Sequence, residues 1–124
     1  SPTLLSFSYD GSVIRCVKAE MLPFMPKTQD MWDQLAEILS KYGETNDRMW
    51  IPAKLAEDGK LKWLDNTDVT LRNINSEDSR MASAVNMCLA MTNTVSHPGV
   101  LVPCKTELLP MVCIPKDNSF FNQQ

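Results

Sequence analysis

The four cysteines are the residues whose number and spacing define a chemistry most readily. One lies far upstream and three lie near the other end of the chain: Cys16, Cys88, Cys104 and Cys113. There is no C-x2-C pair, and the single histidine, His97, has no second histidine to join it, which excludes the common zinc patterns. Disulfides formed in an oxidising, extracellular compartment are the favoured interpretation, and four reduced, buried cysteines in a cytosolic protein are the alternative.

Four cysteines allow three disulfide pairings. We favour a bond between Cys88 and Cys104 around a loop, and a bond between Cys16 and Cys113 that ties the two ends of the chain together. In the chain-entropy model, the bond that closes the long loop stabilises the fold by about 4–5 kcal/mol, and the bond that closes the short loop stabilises it by about 3 kcal/mol. A mispaired or fully reduced protein would contradict this prediction.

An oxygen-rich segment after the second predicted hairpin strand is the candidate for a cation site. Its carboxylate and amide side chains are Asp65, Asn66, Asp68, Asn73, Asn75, Glu77 and Asp78. Calcium takes six to eight such oxygen ligands. A solvated loop whose short polar side chains bond their own backbone is the commoner outcome, however, so we expect no metal and no cofactor.

His97 is the candidate for acid–base chemistry. A catalytic histidine needs a nucleophile and an orienting carboxylate, and nothing in the sequence marks either of them. We therefore predict a histidine in a surface loop and a protein that is not an enzyme.

The length, composition and net charge indicate the kind of domain that must position these residues. A chain of 124 residues with 44% apolar and 22% charged residues is typical of one soluble globular domain. The net charge of −3 gives no electrostatic reason to bind nucleic acid or an anionic membrane. No apolar run approaches the ~18 residues that span a bilayer, and no signal-peptide pattern opens the chain.

Two helices are indicated by caps and periodicity. Ser8 can cap a short helix through Asp10 whose apolar face would include Val13, Ile14, Cys16 and Val17. Thr28 can cap a second helix that ends at Tyr42-Gly43, with an apolar stripe of Met31, Leu35, Ile38 and Leu39 and with Trp32 beside it. The prolines in 21–26 predict an extended, partly buried connector between the two helices.

Strands are indicated in the second half of the chain. Residues 48–55 and 61–64 read as a hairpin around an Asp-Gly turn, with Pro52 at an edge or a bulge, and 65–80 as a long structured loop. Residues 82–91 read as a strand. The runs 88–91 and 108–114 predict two buried strands flanking the loop of Asn93 and His97, and Val100 to Val102 is either a third buried strand, which we favour, or an exposed apolar surface.

The order of these elements resembles that of a C-type lectin-like domain, over essentially the whole chain. The resemblance rests on Cys16, on Trp50-Ile51 in place of the family's Trp-Ile-Gly-Leu motif, on Trp63 to Asn66, and on Cys88, Cys104 and Cys113. It implies an α+β fold of two helices on small antiparallel sheets with a long loop region. It also implies the disulfide pairing that we favour above.

The chain departs from the sugar-binding members of that family. The long loop has no Glu-Pro-Asn or Gln-Pro-Asp triplet, and Val100-Leu101-Val102-Pro103 stands where those members have Trp-Asn-Asp. Valine and leucine side chains supply no oxygen ligands for calcium. The resemblance therefore implies a lectin-like domain without the calcium-dependent sugar site.

These observations predict an extracellular recognition module, as a receptor, adhesion or matrix domain that binds a protein. The alternative is a lectin that binds glycans weakly or without calcium through the same surface. The domain is expected to span residues 1–117, followed by a tail of 118–124. The predicted partner-binding residues lie in the two loops: Asn73, Asn75, Glu77, Asp78, Asn93, His97 and Val100.

Overall fold

The computed structural model describes residues 5–72, 74 and 86–116. Within these residues the chain forms two helices and six short strands. The helices are α1 (Tyr9–Lys18) and α2 (Gln29–Tyr42). The strands are β1 (Met21–Pro23), β2 (Arg48–Leu55), β3 (Leu61–Trp63), β4 (Met87–Thr92), β5 (Gly99–Pro103) and β6 (Cys113–Pro115). The predicted α+β class is confirmed.

The strands form two antiparallel sheets. The larger has the order β3-β2-β4-β5, and the smaller pairs β1 with β6. The register of β2 against β4 shifts between Trp50 and Lys54, which brackets Pro52. Proline has no N–H to donate to the ladder, and since β2 is an inner strand, the register shift bears out the bulge rather than the edge among the two predicted alternatives.

Both predicted helix caps are confirmed. The Ser8 hydroxyl accepts a hydrogen bond from the Gly11 amide at 3.2 Å, and the Thr28 hydroxyl accepts one from the Met31 amide at 3.2 Å. Each bond satisfies one of the amides that a helix leaves unpaired at its N-terminus. Helix α2 ends at Gly43, as predicted from its glycine.

The buried face of α1 agrees with the prediction at Cys16 and at Val13, which packs against the same cluster, and differs from it at Ile14 and Val17. Tyr9, Ser12 and Cys16 are buried, whereas Ile14 is 51% and Val17 is 56% exposed. Two long-range contacts set this face: the ring of Tyr9 meets Trp50 edge-on at 5.6 Å, and Cys16 bonds to Cys113. A covalent bond and an aromatic contact outweigh the modest gain from burying two aliphatic side chains.

The predicted flanking strands are corrected in one respect. Besides β2, β4 pairs with β5, so 100–102 form the favoured strand, in which Leu101 and Val102 are buried and Val100 is half-buried. The run 108–114 is not a buried strand: Leu108 is 62% exposed, Leu109 makes one isolated bridge to Phe7, and only β6 is extended. Of the predicted strand 82–91, residues 82–85 lie outside the described residues, and β4 begins at Met87.

The described residues form three core clusters, and the two larger ones lie on opposite faces of the larger sheet. Met49, Ile51 and Ala53 of β2 face α2 and pack against Trp32, Leu35, Ala36 and Leu39. Trp50 faces the other way and packs with Tyr9 of α1 and with both disulfides. Successive side chains of β2 point to opposite faces of the sheet, and this alternation determines which helix covers each face.

Both favoured disulfides are confirmed. Cys88 bonds to Cys104 across the β4–β5 hairpin, and Cys16 bonds to Cys113 between α1 and β6. No helix in the described part of the chain is long and apolar enough to cross a bilayer.

Gly99 is the glycine most tightly enclosed by the core. A Cβ added there would lie 2.6 Å from Cδ1 of Ile74 and 3.1 Å from both Leu89 and Trp32. Since two of these neighbours are fully buried, the Gly99→Ala variant is expected to lose about 1–2 kcal/mol of unfolding free energy by overpacking. Urea denaturation would measure it, with Val95→Ala, at a 93% exposed side chain, as the neutral control. Equal stability of the two variants would contradict this packing.

Candidate functional site

The segment 93–98, between β4 and β5, is the loop whose geometry the structure defines best. We call it the β4–β5 loop. The Thr92 amide donates to the Pro98 carbonyl at 2.9 Å and closes its base, and the His97 amide donates to the Thr94 carbonyl at 2.9 Å inside it. Ser96 and His97 adopt left-handed backbone conformations, with φ of 71° and 45°. A non-glycine residue holds such a conformation only when its surroundings fix it.

Trp32 of α2 provides one of those fixing contacts. Its indole N–H donates to the His97 carbonyl at 3.0 Å, and its side chain is fully buried. Because a buried indole N–H is costly to leave unpaired, this bond ties the β4–β5 loop to the α2 core.

Asn93 fixes the other end of the loop to the C-terminal end of α2. Its side-chain amide donates to the Glu44 carbonyl at 3.0 Å and to the Leu39 carbonyl at 3.4 Å. Its backbone amide donates to the Asp47 carbonyl at 2.8 Å. The Leu39 carbonyl also accepts from the Gly43 amide at 2.8 Å, so Asn93 is its second donor and joins the loop to the end of α2 and to the segment that follows it.

His97 lies beside a hydroxyl that the sequence did not mark. Its Nε2 is 2.7 Å from the Ser40 hydroxyl and 3.1 Å from Oδ1 of Asn93. In a hydrolytic triad the nucleophile and the orienting group bond to different ring nitrogens. Here both partners meet the same nitrogen and neither is a carboxylate, so the cluster joins the β4–β5 loop to α2 and does not have the arrangement of a triad. The two residues are 57 positions apart, and local patterns cannot reveal such a contact.

The tip of the β4–β5 loop presents an apolar side chain. Val95 is 93% exposed, which sequence reasoning did not single out. Val100 is partly buried and packs against the cluster around Trp50, and its contact with a partner remains a prediction. The structure thus brings Asn93 and His97 together and directs Val100 toward the core.

The oxygen-rich segment is described only in its first part. Asp65 forms an ion pair with Lys27 and bonds to the Thr67 hydroxyl and amide, and Asp68 forms an ion pair with Lys62. Across residues 5–72, 74 and 86–116, no three carboxylate, cysteine or histidine side chains are grouped as metal ligands would be. The predicted contacts at Asn73, Asn75, Glu77 and Asp78 lie outside the described residues.

Ile74 joins the long loop to the β4–β5 hairpin. It makes a parallel bridge to Gly99, and its side chain packs against the α2 core together with Val69 and Leu71. The two loops predicted to form the binding surface therefore meet at this point.

The Asp65 carboxylate gives a pH prediction. Hydrogen bonds from Lys27 and then Thr67 lower its pKa to about 2, against 3.8 in the absence of these partners. A lowered pKa stabilises the folded state above the unfolded pKa, and this contribution is lost as the pH falls from about 4 toward 2. A carbon NMR titration of the carboxyl group should give the lowered value, and Lys27→Met should raise it. The matched variant Lys62→Met should leave it unchanged, and a Lys27→Met variant with the same Asp65 pKa as the wild type would contradict the assignment.

Solved structures of C-type lectin domains are similar to this chain. The complex of SPL-1 with GlcNAc aligns with a TM-score of 0.72 and 14% identity, over 89% of this chain and 81% of that one. The carbohydrate-recognition domain of the mouse scavenger receptor C-type lectin aligns with a TM-score of 0.71 and 13% identity, over 90% and 82%. The calcium-independent C-type lectin SPL-2 from Saxidomus purpuratus aligns with a TM-score of 0.69 and 18% identity, over 89% of this chain and 80% of that one.

No protein-family model and no curated protein sequence matches the chain. At these identities the structural likeness establishes the fold. The chain has the C-type lectin-like fold, with its two helices, small antiparallel sheets and nested disulfides. These structural neighbours are binding domains rather than enzymes.

Proposed function

We propose that this protein is an extracellular recognition module that binds a protein partner through the β4–β5 loop and the adjoining long loop. The observation behind the proposal is the preorganised β4–β5 loop, which Trp32, Asn93 and Ser40 hold to α2 while Val95 projects from its tip. A rigid loop loses little conformational entropy on binding, and an exposed apolar side chain offers area to bury.

The predicted contact residues are retained in this proposal. Asn93 and His97 set the shape of the β4–β5 loop, and Val100 lies in the strand that follows it. The residues of the long loop that we expect to contact the partner are Asn73, Asn75, Glu77 and Asp78. Asp65 and Asp68 are the described carboxylates that stand nearest to these residues in the sequence. Both are already paired with lysines, which supports binding without calcium.

An extracellular location is part of the proposal. Both disulfides join cysteines that are buried or half-buried in the core cluster around Trp50, and structural disulfides of this kind persist in oxidising compartments. Receptor, adhesion and matrix roles all fit such a domain.

A binding screen against a panel of purified extracellular domains tests the proposal. The biotinylated domain, tetramerised on streptavidin, is expected to bind a protein equally well in calcium and in EDTA. Val95→Asp should weaken that binding at least tenfold, because it places a charge in an apolar contact. The matched control Leu108→Asp, at a side chain 62% exposed and outside both loops, should bind as the wild type does. Binding that Leu108→Asp abolishes and Val95→Asp leaves intact would overturn the proposed surface, and a saturable heat of calcium binding would overturn the metal-free site.

A calcium-independent lectin is the second candidate. It is favoured by the neighbour SPL-2, which is described as calcium-independent, and by the GlcNAc bound to SPL-1. A glycan array run in calcium and in EDTA separates the candidates. Saturable glycan binding in EDTA that His97→Ala removes would support the lectin and displace the protein-binding proposal.

A further inference from the structure

A cavity of about 240 Å³ lies beside the disulfide between Cys88 and Cys104, and both cysteines line it. Four charged residues of its lining are exposed to solvent: Asp10, Lys54, Glu57 and Lys105. Because these residues reach the surface, the cavity is open to solvent, and a small molecule can enter it.

The strand register shows that the disulfide faces this cavity. Cys88 of β4 lies directly opposite Lys54 of β2. Side chains that are directly opposite in an antiparallel pair lie on the same face of the sheet, with their Cβ atoms about 4.5–5.5 Å apart. The amide and the carbonyl of Cys104 are both hydrogen-bonded, to Asn86 and Tyr9 respectively, so the sulfur is the polar atom that Cys104 presents to the cavity.

The two sulfurs of this bond are not equivalent. Cys88 is fully buried, whereas Cys104 is half-buried, so a reagent in the cavity reaches Cys104 more easily. A positive charge stabilises a thiolate, and a stabilised thiolate leaves faster during exchange. Lys54 is opposite Cys88 and has no carboxylate partner among the described residues, so its charge favours Cys88 as the leaving sulfur.

The position of Lys54 matters more than the total charge of the cavity. The carboxylates of Asp10 and Glu57 balance the two lysines in the lining as a whole. A cavity with balanced charges does not attract an anion by itself. Selection therefore rests on which side chain stands opposite the disulfide.

The bond between Cys16 and Cys113 lacks these features. Neither of its cysteines lines this cavity, and the residue directly opposite Cys113 is the buried Pro23, which carries no charge. Cys113 is half-buried, as Cys104 is, so exposure alone does not separate the two bonds. The cavity and Lys54 do.

We propose that Cys104 is a site of thiol–disulfide exchange with small-molecule thiols that enter this cavity, and that Lys54 stabilises the departing Cys88 thiolate. The thiolate of the reagent attacks Sγ of Cys104, the bond between the two sulfurs breaks, and Cys88 leaves as a thiolate with the electron pair of that bond. A second thiolate attacks the sulfur of the reagent in the mixed disulfide and releases the Cys104 thiolate. Two thiols are thereby oxidised to one disulfide, and the protein disulfide is reduced to two thiols.

The sheet holds the hairpin together after this reaction. β4 is paired with β5 from Met87 to Met91 and also with β2, and none of these backbone bonds involves a sulfur. The exchange is therefore a reaction of the folded protein. It does not depend on the proposed partner surface.

Treatment of the native protein with 2-mercaptoethanol, an uncharged monothiol, tests the proposal. Samples are alkylated at intervals, and each cysteine is followed by peptide mass spectrometry. Cys88 and Cys104 are expected to be released roughly tenfold faster than Cys16 and Cys113, because an accessible disulfide exchanges without opening of the domain. The first adduct of the reagent is expected on Cys104. Equal rates for the two bonds, faster release of Cys16 and Cys113, a first adduct on Cys88, or no reaction would each overturn the site.

Two lysine variants separate the role of Lys54 in the exchange from a structural one. Lys54→Gln should slow the release of Cys88 and Cys104 roughly threefold, because the leaving thiolate loses its cation. Lys60→Gln, at an exposed residue outside this cavity, should leave the rate unchanged. A variant that only destabilised the fold would accelerate the release of all four cysteines, so the bond between Cys16 and Cys113 serves as the internal reference. Unchanged or faster release of Cys88 in Lys54→Gln would overturn the role of Lys54.

Discussion

The Cys16→Ala/Cys113→Ala double variant is expected to lose about 5 kcal/mol of unfolding free energy, the largest loss that we predict. The bond closes a loop with a sequence separation of 97, and in the chain-entropy model a loop of this length restricts the unfolded chain by about 4.7 kcal/mol. The total free energy of unfolding of a natural domain is about 5–15 kcal/mol. The variant should therefore be partly unfolded at 37 °C.

Urea denaturation under non-reducing conditions measures this effect. The matched control is Cys88→Ala/Cys104→Ala, whose bond closes a separation of 16 and should cost about 3 kcal/mol in the same model. Both pairs contact the same core cluster, so the comparison isolates loop length. A larger loss in the control would show that native packing around the cysteines, rather than restriction of the unfolded chain, dominates.

The Trp32→Phe variant should lose about 3 kcal/mol and should loosen the β4–β5 loop selectively. It removes the indole donor to the His97 carbonyl, which costs about 1–3 kcal/mol when the acceptor stays buried, and it leaves a small cavity in the α2 cluster. Hydrogen exchange of the amides in 93–98 should accelerate more than exchange in β2.

Trp50→Phe is the matched control for that variant. Its indole donates to the Phe7 carbonyl at 2.8 Å and it is 1% exposed, so the same substitution should cost a similar amount. Its contacts lie in the other cluster, however, and the β4–β5 loop should keep its protection. Faster loop exchange in Trp50→Phe than in Trp32→Phe would contradict the assignment of Trp32 as the anchor.

Local signals in the sequence were sufficient for the helix starts, the hairpin and the bulge. The Ser8 and Thr28 hydroxyls accept hydrogen bonds from amides three residues away, and Pro52 lacks an amide hydrogen of its own. Each of these effects therefore depends only on residues close together in the sequence. The cysteine spacing alone allows three pairings, and the confirmed pair of bonds is the one that we favoured and that the resemblance to C-type lectin-like domains implies.

What escaped prediction depends on contacts between distant parts of the chain. Periodicity placed Val13, Ile14, Cys16 and Val17 on the buried face of α1, yet the contact of Tyr9 with Trp50 and the bond of Cys16 leave Ile14 and Val17 exposed. The partner of β4 could not be chosen locally either, since 100–102 and 108–114 are both apolar. At the candidate site, the contact of His97 with Ser40 arises only once α2 and the β4–β5 loop are side by side.

The bond between Cys16 and Cys113 also determines how the molecule would respond to mechanical tension. Pulling on residues 5 and 116 would load the two short segments outside the bond, and the first contacts to give way would be those of Phe7 with Leu109. The chain between Cys16 and Cys113, which would extend to about 330 Å if released, would not be stretched, because the covalent bond carries the tension between its two ends. Reduction of this one covalent link would convert a nearly inextensible tether into a long, compliant one.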